Sequence, residues 1–443
     1  PTQFEFLELT MAGIDALEIF INIEIFENIF IGGVVGSLSI MDSDGLDFIG
    51  SNNIEFIEDI SFTFKNAIGE ELKFEGYMNG LRDEIIQNQK KIYVIDFTSK
   101  TVRKNESVFI NTAFKNALPE DVVSDMTRKL EAEFVDYGDI NEDSKGKPMT
   151  WVSANKKPLE VIRYVVNHGL REDRSQVNGG DDVNGTISGT SGYLFWETID
   201  GYRFCPIDDL VEAAPFETYD DFEPRVAAPS QMNMTERMKS ILTYEFPKAG
   251  DYFEKLRSGA IKSNLISFDL DKGVLTNFSY EADQSTATKK QIEAVDGATR
   301  QVMRLFSNEK FNPKCSREDQ NTGDQSRKNL VQSIARQNTL ADTQGRIVLP
   351  PHYNIRAGDH INIKIPKIQG KNNSFDYDSK HSGRYLISQV GHHILRDGKS
   401  YTKLSLIRSS TQQNAKTSNT GRILTDVLGN IIGNVSVGIQ VSL

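Results

Sequence analysis

The chain has little cysteine. Cys205 and Cys315 are the two in 443 residues. So few thiols exclude a disulfide scaffold and a Cys-rich zinc site. Cys205 sits in an apolar strand-like run and reads as a small buried hydrophobe. Uninterrupted apolar runs are also missing. The most apolar early segment, IDALEIFINIEIFENIFIGGVVG, carries Glu18, Glu24 and Glu27, so it cannot sit in a bilayer and no membrane insertion is expected. No basic segment leads into an apolar one, so no secretory signal is visible. The chain starts at Pro1 without Met, which fits a trimmed product. Basic residues are absent from residues 1–64, which hold twelve acidic ones; Lys65 is the first cation. No G-x-S-x-G, P-loop, H-E-x-x-H or Rossmann G-x-G-x-x-G occurs. The acidic pairs Asp181-Asp182, Asp208-Asp209 and Asp220-Asp221 read as solvated turns. No catalytic residue, cofactor or metal is assigned.

What is present points to a multidomain, mainly β protein. At 443 residues, two to four domains are expected. Hydrophobic residues are 38% and charged residues 25%, which excludes global disorder. Leu17, Ile19, Ile21, Ile23 and Ile25 alternate as a half-buried strand requires. Ile60, Phe62 and Phe64 alternate likewise, as do Tyr93, Ile95 and Phe97. Short strands broken by turns predict an antiparallel barrel over residues 1–112.

The period changes at residues 118–134. Pro119, Glu120 and Asp121 suit a helix start, and Val122, Met126, Leu130 and Phe134 form one apolar stripe. A second helix is expected at about 158–168, ended by Gly169. Residues 178–192 read as a mobile Gly-rich loop, and Asp200-Gly201 as the turn of an aromatic hairpin. Together these make a helix-plus-hairpin α+β insertion at 113–230. A helical patch is expected near TERMKSILTYEF. The β pattern returns in a second barrel over 231–410, interrupted by an irregular segment at about 283–330.

The stretch HSGRYLISQVGHHILRDGKSYTKLSLIRSS, from His381 to Ser410, holds three of the six histidines. Adjacent strand residues point to opposite faces, so His392 and His393 cannot easily share one metal. The stretch reads as a hairpin turning at Asp397-Gly398. Its neighbour GDHINIKI lies over EDISFTF of the first barrel, and KSYTKLSLIRS lies over KKIYVIDFTSK. The two barrels are read as a degenerate repeat.

The net charge is −12, which disfavours tight nucleic-acid wrapping. Residues 384–443 reverse the balance, with seven basic and two acidic residues. An acidic first barrel and a basic second barrel (Arg384, Arg396, Lys403) would favour alternating contacts. After a polar linker, Leu424, Val427, Leu428, Ile431 and Ile432 suit an amphipathic helix. Val435, Val437, Ile439, Val441 and Leu443 then alternate as a strand. This tail, 411–443, is expected to dock on a neighbouring protein by strand addition.

Several segments together resemble the baseplate hub proteins of contractile-tailed, T-even-like phages, related to late-control D and VgrG-type hubs. They are Arg356-Ala357-Gly358-Asp359; the S-G-x-Y-L-I element with Arg384 and Tyr385; Val390, His392 and Ile394; and Tyr401, Thr402, Leu404 and Leu406. FENIFIGGVVGSLSIMDSDGL and WVSANKKPLEVIRYVV add to the likeness in the family's order. The resemblance implies two tube-type barrels per chain and a homotrimeric ring of six barrels. Its implied partners are a central spike (lysozyme-bearing in some cases), tail tube or tube-initiator proteins, a tape measure protein and baseplate wedge proteins. DNA would pass without specific binding, and the protein would sit in the virion tail baseplate after assembly in the host cytoplasm. A cell-wall hydrolase and the spike are expected as separate chains, since no lysozyme-like segment or β-helical repeat occurs. A hub of a type VI secretion or tailocin spike shares the barrels and stays open. A carbohydrate-active enzyme is the more remote reading.

Overall fold

The computed structural model describes residues 4–408, apart from 44–46, 88–89, 133–134, 139–145, 147, 170–175, 179–183, 189–191, 213–215, 220–236, 248–251, 271–272, 283–288, 307–339, 341–342, 367–376 and 379–380. The linker and apolar tail, Cys315 and Phe134 lie outside the described residues, as do most of the Gly-rich and irregular segments. No helix among the described residues is long and apolar enough to cross a membrane.

The fold is mainly antiparallel β. The first unit holds β1 (Phe4–Met11), β2 (Ile14–Asp15), β3 (Phe20–Asn28), β4 (Val35–Ser43), β5 (Asp59–Asn66), β6 (Glu71–Gln87) and β7 (Lys90–Ser99). Its core gathers Phe20, Ile23, Ile25, Leu38, Ile40, Phe62, Phe64 and Phe97. The alternation legible around Ile21 is broken by a register shift between Phe20 and Asn22. The bulge turns Phe20 and Ile23 into the core and leaves Ile21 half-buried.

Next along the chain come the helix Lys100–Ser107, β8 (Ile110–Ala117) and the helix Pro119–Lys129. The chain continues through β9 (Val135–Asp136), β10 (Met149–Lys156) and the helix Pro158–His168. Val122, Met126 and Leu130 are buried, as their spacing predicts. Next come β11 (Gln176–Asn178), β12 (Asn184–Ser188) and the hairpin β13 (Tyr193–Thr198) and β14 (Gly201–Pro206). β12 corrects the reading of 178–192 as loop, because Asn184–Ile187 pair in parallel with a later strand.

The second unit is split. β15 (Thr218–Tyr219) and β16 (Thr243–Glu245) precede β17 (Lys262–Asp269), β18 (Val274–Glu281) and β19 (Arg300–Phe306). β17–β19 join β11 and β12 in a separate five-stranded sheet around Leu265, Phe278 and Tyr280. β20 (Thr343–Leu349), β21 (His360–Ile363), β22 (Gly383–Leu395) and β23 (Lys399–Arg408) then complete the second barrel. β16 takes part of the segment expected to be helical: pairing of Thr243–Glu245 to β20 overrides the local helical spacing.

The repeat is explicit in the topology. The sheet order β5-β6-β7-β4-β3 matches β21-β22-β23-β20-β16, every neighbour antiparallel and the chain order identical. Gly36 and Gly345 take equivalent places, opposite Phe97 and Leu406 respectively. Leu38 and Ile40 on β4 match Ile347 and Leu349 on β20, and all four are buried. The barrels are also fused: β3 pairs with β22 over Asn22–Asn28 and Gln389–Leu395, so one 13-stranded sheet runs through both.

Gly36 sits at a tight point of this sheet. A Cβ there would lie 2.2 Å from Phe97 Cζ and 2.4 Å from the Glu24 carbonyl oxygen. Because one obstacle is backbone, Gly36→Ala is expected to cost about 1–3 kcal/mol. Urea unfolding checks this; an unchanged midpoint would contradict the packing described.

Candidate functional site

The candidate site is the joint where both barrels and the hairpin β13–β14 meet. The Arg356–Asp359 turn lies at its centre. Gly358 has φ +94°, a left-handed conformation, and a Cβ there would come within 2.4 Å of Trp196 Cζ2. Glycine allows both the turn and the close indole. The Asp359 carboxylate accepts from the Arg356 backbone N–H at 2.9 Å and from Arg203 Nη1 at 2.7 Å. Arg203 Nη1 and Trp196 Nε1 both donate to the Ala357 carbonyl at 2.9 Å. The Gly358 N–H donates to the Ile387 carbonyl, fixing the turn to β22.

Glu27 of the first barrel closes the cluster. It is 1% exposed, and its carboxylate accepts from the Ala357 and Ile199 backbone N–H groups, each at 2.8 Å. Arg356 Nε lies 3.8 Å from Glu27 and 2.5 Å from Asp200. Burial pushes the Glu27 carboxyl up, opposed by Arg356 and the two amides. Asp359 is likewise raised by burial against the pull of Arg203. Burial works against the Arg356 charge, but Glu27 and Asp200 outweigh it and the guanidinium is held more firmly protonated. One cluster therefore ties three parts of the chain together.

Glu197 on β13 is a second buried acid. Its Oε2 accepts from the Val34 N–H at 3.1 Å and from Ser99 Oγ, and its Oε1 accepts from Thr101 Oγ1 at 2.8 Å. Burial raises it to about 7, partly opposed by Ser99, Thr101 and the Val34 amide. It borders a cleft of about 540 Å³ that Lys73, Lys100 and Arg356 also line.

The paired histidines lie on the β3·β22 joint. His392 is buried, with Nδ1 3.2 Å from Thr402 Oγ1 and its ring edge-on to Tyr353. Burial holds it far below the usual histidine range, so it is neutral. His393 has its Nδ1 2.9 Å from Glu24 Oε1 and stacks on Tyr401. The hydrogen bond to His393 holds Glu24 low, with smaller help from Lys403 and Arg82. The two rings thus serve different neighbours. No group of three candidate ligands for a metal occurs among the described residues.

The other singled-out residues lie along the same barrel. The buried Tyr385 donates to the His381 carbonyl at 3.0 Å and carries Arg408 over its ring. Arg384 pairs with Asn362 across β21 and helps hold His360, lowered chiefly by burial, at about 3. The Arg396 backbone N–H donates to the Ile21 carbonyl at 2.8 Å, extending the joint. Lys403 lies over Tyr401. Gly358 and Asp359 are in the central turn; Arg384, Arg396 and Lys403 are not. Glu27, Glu197, Asp200 and Arg203 were not legible as site residues. One signal existed: Glu27 continues the buried parity of Ile23 and Ile25, an acid where the strand alternation demands an apolar residue.

No protein-family model matches the chain, and no curated protein sequence matches it. The fold is that of a tail protein from Neisseria meningitidis MC58: 8% identity, 92% of this chain and 97% of that one, TM-score 0.52. A 43 kDa tail protein of prophage MuSo2 from Shewanella oneidensis is similar over 91% of this chain and 98% of its own, at 10% identity and TM-score 0.47. A type VI secretion component from E. coli, described as similar to T4 bacteriophage tail proteins, aligns over 93% of this chain and 78% of its own, at 8% identity and TM-score 0.39. The chain thus shares its fold with the Neisseria protein over most of both chains.

Arg356→Met would leave the buried Glu27 carboxylate without its neighbouring cation, while Asp359 keeps Arg203. A loss of about 3–5 kcal/mol is expected. Asp200 is 61% exposed, so Asp200→Asn should cost under about 1 kcal/mol. Equal losses for the two variants would contradict the cluster.

Glu197 makes stability depend on pH. Its folded value, about 7, lies above the ordinary 4.5, so the folded chain holds this proton where the unfolded chain has released it. The contribution is full below about 4.5 and is lost as pH rises through about 7, amounting to about 3 kcal/mol. Glu197→Gln should flatten the fall in urea midpoint between those pH values; an identical slope in both proteins would contradict it.

Proposed function

We propose that the chain is the structural hub of a contractile tail, a homotrimer whose six barrels form a ring with threefold true symmetry. The observation that carries this reading is the repeat: two barrels of one topology, joined edge to edge in a single sheet. Three such pairs would give six nearly equivalent walls, an adaptor between a sixfold tail tube and a threefold spike. The tail-protein fold supports a place in the tail or baseplate of a virion. The spike, the tube or its initiator, the tape measure protein and the wedge proteins are the proposed partners.

The role is structural rather than catalytic. The charged groups at the joint are spent on holding three parts of the chain together, with Arg356 and Arg203 each bound to carboxylates. A net charge of −12 suits a channel through which DNA passes without adhering. The tail from Ser410 is proposed to order on the spike or another baseplate protein.

Light scattering after size exclusion tests the reading. A mass three times that of the chain is expected. A chain that stays monomeric at every accessible concentration would contradict it.

A further inference from the structure

The joint inside the chain uses one edge from each barrel. On β22, residues Gly383–Leu386 pair with β21, and Gln389–Leu395 continue past it along β3. β6 is built the same way. Its first half, Glu71–Tyr77, pairs with β5, and the strand runs on to Gln87. Along that continuation, however, only β7 pairs with it among the described residues. The counterpart of β3 is β16, which is paired on one side by β20 and, among the described residues, on no other. The chain therefore closes this joint once and leaves its two halves open a second time.

The side chains agree with the topology. Ile394 on β22 faces Ile23 on β3, and both are 0% exposed in the core of the first barrel. Counting across β23 and β7, Ile394 pairs with Ser400, which overlies Lys91, and Lys91 pairs with Ile86. Counting across β20 and β4, Ile23 pairs with Leu38, which overlies Ile347, and Ile347 pairs with Tyr244. Ile86 is 69% exposed and Tyr244 is 42% exposed. Large apolar residues thus lie bare at the two positions whose repeats are buried against each other. Ile85 and Leu242 beside them are exposed too. An open edge with such side chains is a template for another strand.

β6 and β16 lie far apart in the order of the sheet, with β20, β23, β22, β3, β4 and β7 between them. We infer that the β6 edge of one chain pairs antiparallel with the β16 edge of a second copy, repeating the β3·β22 joint between chains. The register sets Gln87 opposite Thr243, Ile86 opposite Tyr244 and Ile85 opposite Glu245. Ile86 then enters the second barrel of the neighbour as Ile394 enters the first barrel of its own chain. Such a contact is head-to-tail, so it closes into a ring or grows as a filament. The inference deepens the hub reading and rests on it only for closure after three copies.

The test uses full-length chains. Ile86→Cys and Tyr244→Cys variants carrying tags of different size are mixed and oxidised with Cu(II)–phenanthroline. A mixed covalent dimer is expected, absent when either variant is oxidised alone and absent when exposed Phe109→Cys replaces Ile86→Cys. The doubly substituted chain should give covalent species ending at the trimer. Ile86→Asp should reduce the assembly to monomers with unchanged circular dichroism. Oligomers that persist with Ile86→Asp and give no mixed dimer would overturn this edge and leave the hub reading standing. Covalent species growing beyond three would uphold the edge and overturn the trimer. A wild-type chain that is always monomeric would overturn both.

Discussion

An exposed β-strand edge invites pairing with another strand, and this chain meets that constraint by pairing one barrel with the other. The β3·β22 ladder turns two separate barrels into one continuous sheet. Ile394 crosses it, leaving its own barrel to fill the core of the first. Tyr353 does the same from the loop before β21. The two cores therefore cannot move independently without opening both a hydrogen-bonded ladder and an apolar contact.

Charge fixes the angle that pairing alone would leave free. Glu27 arises from the first barrel, Arg356 and Asp359 from the second, and Asp200 and Arg203 from the hairpin. Backbone amides occupy both Glu27 oxygens, so the carboxylate position is set by two chain segments distant in sequence. Buried ion pairs add little net stability over apolar packing, but their geometry is demanding. Here that geometry specifies how three parts of the chain meet. The raised carboxyls are the cost of placing acids in that interior.

Much of the fold was legible because strand alternation and helix period are local. The helix Pro158–His168 and the strands β22 and β23 fall where spacing and turn residues put them; the helix Pro119–Lys129 starts where Pro119 puts it but ends short of the expected residue 134. The barrel repeat was legible in KKIYVIDFTSK over KSYTKLSLIRS because both barrels bury the same parity. The joint was not. Nothing local distinguishes a Glu27 destined for an arginine cluster from the solvated acids around it, except its core parity on β3. β12 and β16 were missed because their pairing partners lie far along the chain: Asn277–Tyr280 for β12 and Arg346–Val348 for β16. The charge asymmetry of the two ends reaches the joint at one point, where Lys403 and His393 face Glu24.

The central claim is that both barrels are copies of one building block joined by one kind of edge. Electron cryomicroscopy of the purified assembly tests it most directly. The account predicts a ring with threefold symmetry whose six barrels superpose at low resolution, with sheet running unbroken from each barrel to the next. A particle whose barrels meet through their faces or through the insertion, with the β6 edges open to solvent, would contradict it.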